Sequence, residues 1–195
     1  MTDETAFVRL GDLRNAVTIS RGIPTQATSA SGPMPVFSVP DLRSGAPAKR
    51  FVDPAALTDP LHGAVMDEDV LIALEGSAAG EVFVVPDGLP SFAPSQQVAV
   101  VRIHDHSTIN PWYLGSFLST ETARMQMRRL TRGQKVQRIP VRDLNTVSVP
   151  LTPRSTQTAV GDQYRTFQAA IKVHRQTAQH LEAMCTAASE MDFAP

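Results

Sequence analysis

Short β-branched runs separated by Gly, Pro and Asp fill the first 150 residues of the chain. On this pattern residues 16–20, 36–39, 70–74, 81–85, 98–103 and 147–149 each predict a strand. Residues 21–34, with Gly22, Pro24, Ser29, Ser31, Gly32 and Pro33, predict a Ser/Thr-rich loop. One helix interrupts the strands. Asn110 suits its cap, Pro111 its first position, and Leu114, Phe117, Leu118 and Met125 fall on one stripe. Residues 1–153 therefore read as a mixed, predominantly β domain.

From Val160 the period changes. Val160, Tyr164, Phe167, Ile171, His174, Ala178, Leu181, Cys185 and Ala188 follow one another at alternating spacings of four and three, the heptad seam of a coiled coil. Seven of the fifteen prolines lie within residues 24–60, and none occurs between Pro153 and Pro195, so residues 154–195 are expected to form one long helix. The fold class expected is α+β: a β-rich mixed domain followed by a long C-terminal coiled-coil helix. A helix of about 30 residues is on the order of 45 Å long. Residues 1–153 are too small a body to cover that whole seam, so pairing with the same helix of a second copy is expected. The alternative is a helix folded back on its own domain, and His174 and the two seam alanines favour it.

Composition narrows the class. The 195 residues are 42% apolar with ordinary amounts of Gly and Pro, which excludes wholesale disorder. Eighteen basic against nineteen acidic residues give a net charge of −1, which excludes coating of nucleic acid by bulk charge. The average conceals a separation, however. Arg124, Arg128, Arg129, Arg132, Lys135, Arg138 and Arg142 have no acid among them, so this segment carries +7 and the remainder −8. A single cysteine, Cys185, excludes an intramolecular disulfide or a cysteine-based zinc cage within the chain. The polar, acidic start and the lack of a long apolar run lead to the expectation of a soluble, cytoplasmic protein without a signal peptide or membrane contact.

Candidate chemistry is sparse. His104-Asp105-His106 puts two imidazoles on one face of an extended segment, where a third ligand would complete a metal site. That arrangement would suit a metal-dependent hydrolase, but a polar turn explains the tripeptide equally and no second half of a metal motif exists. Asn110-Pro111-Trp112-Tyr113 is similar to the Asn-Pro-Pro-Tyr loop of adenine methyltransferases, yet lacks the second proline and a glycine-rich cofactor loop. Gly76-Ser77-Ala78-Ala79-Gly80 has no lysine to make it a phosphate loop. Cys185 falls on the seam, as a packing residue would. No catalytic group and no bound cofactor are expected. The basic segment offers more. Arg forks suit phosphate oxygens and guanine edges, Gln134 and Gln137 suit adenine, and Gly133 allows close backbone approach. Arg124, Arg128, Arg129, Arg132, Gly133, Gln134, Lys135, Gln137 and Arg138 are thus the expected DNA contacts. A coiled-coil adaptor whose basic segment binds an acidic protein is the alternative.

A series of short motifs gives these features an order. Leu10-Gly11-Asp12-Leu13 precedes Ile19-Ser20-Arg21-Gly22, then come Pro35-Val36 and Asp41-Leu42-Arg43-Ser44-Gly45. Asp69-Val70-Leu71-Ile72 with Gly76 and Gly80, and Ile109-Asn110-Pro111-Trp112-Tyr113-Leu114, follow. Gly133 lies before Ile139-Pro140-Val141 and Asp143-Leu144, and Val149-Pro150-Leu151 leads through Gln157 into the long helix. In this order over residues 8–190 the motifs resemble the specificity subunit of type I restriction–modification systems, in a half-length form with one target recognition domain and one spacer helix. The chain departs from the usual pattern in having one of each part rather than two, and Thr156 where an acid is common. The resemblance implies a non-catalytic subunit that reads double-stranded DNA and presents it to adenine methyltransferase subunits. Those would methylate adenine N6 with their own S-adenosylmethionine, and a translocating restriction subunit is a further partner it implies. The heptad helix would then pair by homodimerisation and act as a ruler between half-sites.

Overall fold

The computed structural model describes residues 6–45, 47–57, 63–133 and 137–192. Among these the strands are β1 (Ala6–Arg9), β2 (Val17–Arg21), β3 (Met34–Phe37), β4 (Arg50–Val52), β5 (Val70–Ala73), β6 (Val82–Val84), β7 (Ala93–Pro94), β8 (Val98–Ile103) and β9 (Ser148–Leu151). The helices are α1 (Val39–Ser44), α2 (Pro111–Leu118), α3 (Glu121–Leu130) and α4 (Arg154–Asp192). Four antiparallel strands in the order β2-β8-β5-β6 make the central sheet. β5 and β8 are apolar almost throughout because both faces of the sheet are covered. Val70, Ile72, Val82, Val84, Ala99 and Val101 point to one face, against Leu114 and Leu118 of α2. Leu71, Ala73, Val98 and Val100 point to the other, against Val39 and Phe92. A smaller sheet in the order β4-β3-β7 covers Ile23, Val36, Val52 and Ala93, and β1 pairs with β9 next to the start of α4.

Two expected elements differ. The run at residues 36–39 is divided: the strand ends at Phe37, and Val39 opens α1 because Ser38 and Asp41 form a reciprocal capping box around Pro40. The single helix expected after Asn110 is two helices. Ser119 turns its hydroxyl back to the Gly115 carbonyl, and Thr120 starts α3 by accepting from the Ala123 N–H at 3.3 Å. Met125 thereby leaves the stripe of Leu114 and Leu118 and is exposed.

The junction between α2 and α4 is built from polar contacts with few alternatives. Asn110 Oδ1 accepts from the Tyr113 N–H at 3.0 Å, while its own N–H donates to Gln157 Oε1 at 2.9 Å. The amide of the buried Gln157 donates to the Thr152 carbonyl at 3.0 Å, and the Tyr113 hydroxyl to the Pro150 carbonyl at 2.8 Å. Gly161 lets these helices touch, because a Cβ there would stand 2.7 Å from Asn110 Oδ1. Gly161→Ala is therefore expected to lower folding stability by about 2 kcal/mol, despite alanine's higher helix propensity of ~1 kcal/mol. Urea unfolding checks this; a variant as stable as the parent would show that the contact yields freely.

Only the start of the heptad seam serves this junction. Val160 and Tyr164 pack against the main core, and the Tyr164 hydroxyl lies 2.8 Å from Ser119 Oγ. Farther along, Arg165 stacks over Trp112 and pairs with Asp87, and Gln179 donates to the Ser44 carbonyl. These contacts lie on a stripe roughly a third of a turn from the seam. Phe167, Ile171, His174, Ala178, Leu181, Cys185 and Ala188 are all exposed. The folded-back alternative thus describes the first turns of α4 and not the seam beyond them. Among the described residues no helix is long and apolar enough to cross a membrane.

Candidate nucleic-acid interface

One end of the central sheet gathers segments that are far apart in sequence. The register sets Arg21 opposite Ala99 and Ala73 opposite Val98, so the end of β2, the turn after β5 and the approach to β8 lie together. Residues 132–139 join them. The Ile139 N–H donates to the Leu74 carbonyl at 2.8 Å and the Gly76 N–H to the Gln137 carbonyl at 3.0 Å. Arg132 and Arg138 exchange both backbone hydrogen bonds at 2.9 Å, which closes a small loop at Gly133. Gln134 and Lys135, two of the expected contacts, lie outside the described residues. The last turns of α3 reach the same end, where Met127 packs over Gly80.

The folded chain corrects the expectation of cations without a counter-acid. Arg128 Nη1 meets Glu121 at 2.8 Å, Arg132 Nη2 meets Asp143 at 2.7 Å, and Arg142 Nε lies 3.5 Å from Asp143. Glu121 and Asp143 flank the segment in sequence and fold back along it. Arg138 Nε reaches Glu75 Oε1 at 2.8 Å, and Arg21 Nη2 reaches the same oxygen at 3.1 Å. Arg124 is half-buried and Arg129 exposed, and among the described residues neither has an ion pair. Excess positive charge remains: among the described residues, the seven cations Arg21, Arg124, Arg128, Arg129, Arg132, Arg138 and Arg142 are offset by ion pairs with three acids, Glu75, Glu121 and Asp143. Exposed pairs such as Arg128–Glu121 contribute at most about 1 kcal/mol and are readily exchanged for a phosphate. Arg21 and Glu75 were not among the expected contacts, because no local pattern ties either to the basic segment.

The other candidates are engaged elsewhere. His104 Nε2 lies 2.7 Å from Thr18 Oγ1, whereas His106 Nε2 faces the Ile103 carbonyl at 3.2 Å and its Nδ1 faces Glu68 at 3.5 Å. The two imidazoles do not converge, and among the described residues no group of three His, Cys, Asp or Glu side chains is placed to hold a metal. Asp105 between them closes the turn: it accepts from the Ser107 N–H at 2.9 Å and hydroxyl at 2.6 Å, and from the Thr108 hydroxyl at 2.6 Å. Those bonds, Ser107's first, hold its carboxyl down to about 2, below the usual 3.8. Because the folded value is the lower one, the turn's stabilisation is full above the ordinary carboxylate value and disappears as pH falls toward 2. A carbon-13 NMR titration of this carboxyl should find it still ionised at pH 3; an ordinary midpoint would mean the turn is open. Trp112 is buried and donates from Nε1 to Glu68 at 3.0 Å, so Asn110-Pro111-Trp112-Tyr113 is occupied in capping and packing.

No family model matches the chain, and no curated protein matches it in sequence. Solved structures similar in fold include the S subunit of a type I restriction–modification system from M. genitalium. It aligns with a TM-score of 0.61 at 15% identity, over 86% of this chain and 40% of that one. A chain from a structure of the type I R-M system aligns at 0.58 and 18% identity, over 98% and 45% of the two chains. The HsdS subunit from Thermoanaerobacter tengcongensis aligns at 0.57 and 18%, over 92% and 41%. The chain spans 40–45% of the length of these structures, and it shares with the aligned part of them a mixed α+β fold that ends in a long helix.

Proposed function

We propose that this chain is a DNA-recognition subunit that binds the duplex with the sheet end carrying Arg21, the α3 arginines and the Arg132–Arg138 loop. The observation that carries the reading is the excess of arginine at that end, on a fold shared with type I specificity subunits. Arg124, Arg128, Arg129 and Arg142 contact phosphates and set the register, and the loop around Gly133 approaches base edges. The chain itself is non-catalytic. It directs adenine-N6 methyltransferase subunits, which bring S-adenosylmethionine, to the bound site, and a translocating nuclease subunit is a compatible further partner. The exposed seam of α4 pairs two copies, so a two-fold dimer reads a symmetric, bipartite site with a fixed spacer.

Charge reversal tests the reading. Arg128→Glu, Arg129→Glu and Arg132→Glu together are expected to weaken duplex binding by roughly 100-fold or more and to flatten its salt dependence. Fluorescence anisotropy of a labelled duplex at several salt concentrations measures both, and circular dichroism confirms the fold. Unchanged affinity would reduce the cluster to a solvated surface. Retention of an acidic protein with no salt-dependent duplex binding would favour the adaptor reading instead.

A further inference from the structure

Glu75 sits awkwardly for a surface meant to meet a polyanion. Its side chain is only 9% exposed, yet it lies at the centre of the basic end, where a carboxylate repels phosphate. What it does there is geometric. One oxygen, Oε1, accepts from Arg21 Nη2 at 3.1 Å and is ion-paired with Arg138, whose Nε lies 2.8 Å away. Arg21 is fixed a second time by its Nε donating to the Gln96 carbonyl at 2.7 Å. The chain after Arg21 has no freedom either, since a Cβ on Gly22 would stand 2.1 Å from the Ser95 carbonyl oxygen. The Gly22 N–H is tied to the Val98 carbonyl at 2.9 Å.

The two guanidinium groups are thus oriented before any ligand arrives. Arg21 spends Nε and one Nη2 hydrogen on the protein, Arg138 is held by its ion pair with Glu75, and the side chains remain 42% and 56% exposed. Each keeps Nη1 and Nη2 hydrogens on its outer end, the paired donors that match O6 and N7 of guanine. A phosphate contact requires only charge and reach, which Arg128 and Arg129 supply from exposed helix positions. Discrimination among bases requires a fork whose direction is set in advance.

Building on the DNA-recognition reading above, we propose that Arg21 is a base-reading residue selecting guanine, and that Glu75 is the positioning residue that aims it together with Arg138. The consequence is a separation of specificity from affinity. Removing Glu75's charge takes a repulsion away from the phosphates while releasing both forks, so preference falls without loss of binding.

Selection of bound duplexes from a randomised library, using the full chain, tests this. The parent should enrich a motif containing guanine. Arg21→Ala and Arg21→Lys should each erase the preference at one guanine position by roughly tenfold and leave the other positions intact. Glu75→Gln should lower guanine preference at that position, and at the one read by Arg138, with total duplex affinity equal to or above the parent's. Arg128→Glu with Arg129→Glu should instead weaken all sequences alike. Thermal unfolding of each variant accompanies the selection. An unaltered motif in the Arg21 and Glu75 variants overturns the inference while leaving the DNA reading in place. Uniform erosion of every position with a lowered melting temperature also overturns it, as the signature of a purely structural role. A parent chain that enriches no motif overturns the DNA reading, and this inference with it.

Discussion

Asp69→Ala is expected to destabilise the chain by about 3 kcal/mol, roughly a hundredfold in the folding equilibrium. Asp69 is 2% exposed and immediately precedes β5. Its Oδ1 accepts from Arg102 Nε at 2.9 Å, and its Oδ2 from Arg102 Nη2 at 2.6 Å and the Met66 N–H at 2.8 Å. Arg102 lies on β8, between the neighbours β2 and β5, so the bidentate pair ties the turn before β5 to the middle of the sheet. The hydrogen bond to Asp69 is the main reason Arg102 holds its proton even more tightly than usual, against the opposing effect of burial. Removing the carboxylate leaves a guanidinium with the Ala64 carbonyl at 3.3 Å and strands the Met66 N–H. Breaking a buried pair from one side costs about 3–5 kcal/mol, and the lower figure applies because Arg102 retains some access to water. Replacing both partners, Asp69→Leu with Arg102→Met, should recover most of the loss, since no uncompensated charge then remains. Equilibrium urea unfolding compares both variants with the parent. A single substitution within 1 kcal/mol of the parent would mean that water replaces Asp69 around Arg102.

What the sequence made legible depended on how far apart the partners of each element lie. β5 and β8 were readable because covering both faces of a sheet requires an unbroken apolar run, as in Val70–Ala73 and Val98–Ile103. β4 and β7 were not. One is three residues long and begins with Arg50, and the other is two residues long and ends in Pro94; neither offers a period to detect. The break between α2 and α3 did leave a trace, Ser119-Thr120, but the apolar spacing continues across it and masks the second cap. The basic segment was plain, whereas its electrostatics were not. Glu121 and Asp143 stand just outside the acid-free window, and Glu75 reaches Arg138 only because β5 ends beside the Arg132–Arg138 closure. Likewise Asn110 reads as a helix cap and Gln157 as part of the junction motif, and only the packed chain shows that they bond to each other. Local chemistry is visible in sequence; pairing across the fold is not.

The seam of α4 carries the other large expectation. Phe167→Asp together with Leu181→Asp should convert the proposed dimer to monomer while leaving the domain as stable as before. α4 runs for 39 residues, about 58 Å at 1.5 Å per residue, and among the described residues only its first turns and one edge touch the body. Phe167 and Leu181 are each 55% exposed in the single chain, so charging them removes little from its own packing. In a two-fold pair each substitution counts twice. Burying the exposed half of four such side chains is worth on the order of 4 kcal/mol, close to a thousandfold in dissociation constant, before the cost of facing charges is added. Sedimentation velocity at micromolar concentrations reads the result. The control is Val173→Asp: Val173 is 59% exposed on the same helix but lies off the heptad seam. If the seam is the interface, Val173→Asp remains dimeric and only the seam variant dissociates. If Val173→Asp dissociates and the seam variant does not, the copies meet through another face of α4. The spacing between their two recognition ends would then no longer be set by the heptads, because a shift around the helix changes which turns lie at the two-fold axis. A parent chain that is monomeric throughout would leave the seam to a different partner helix and remove the ground for a symmetric site.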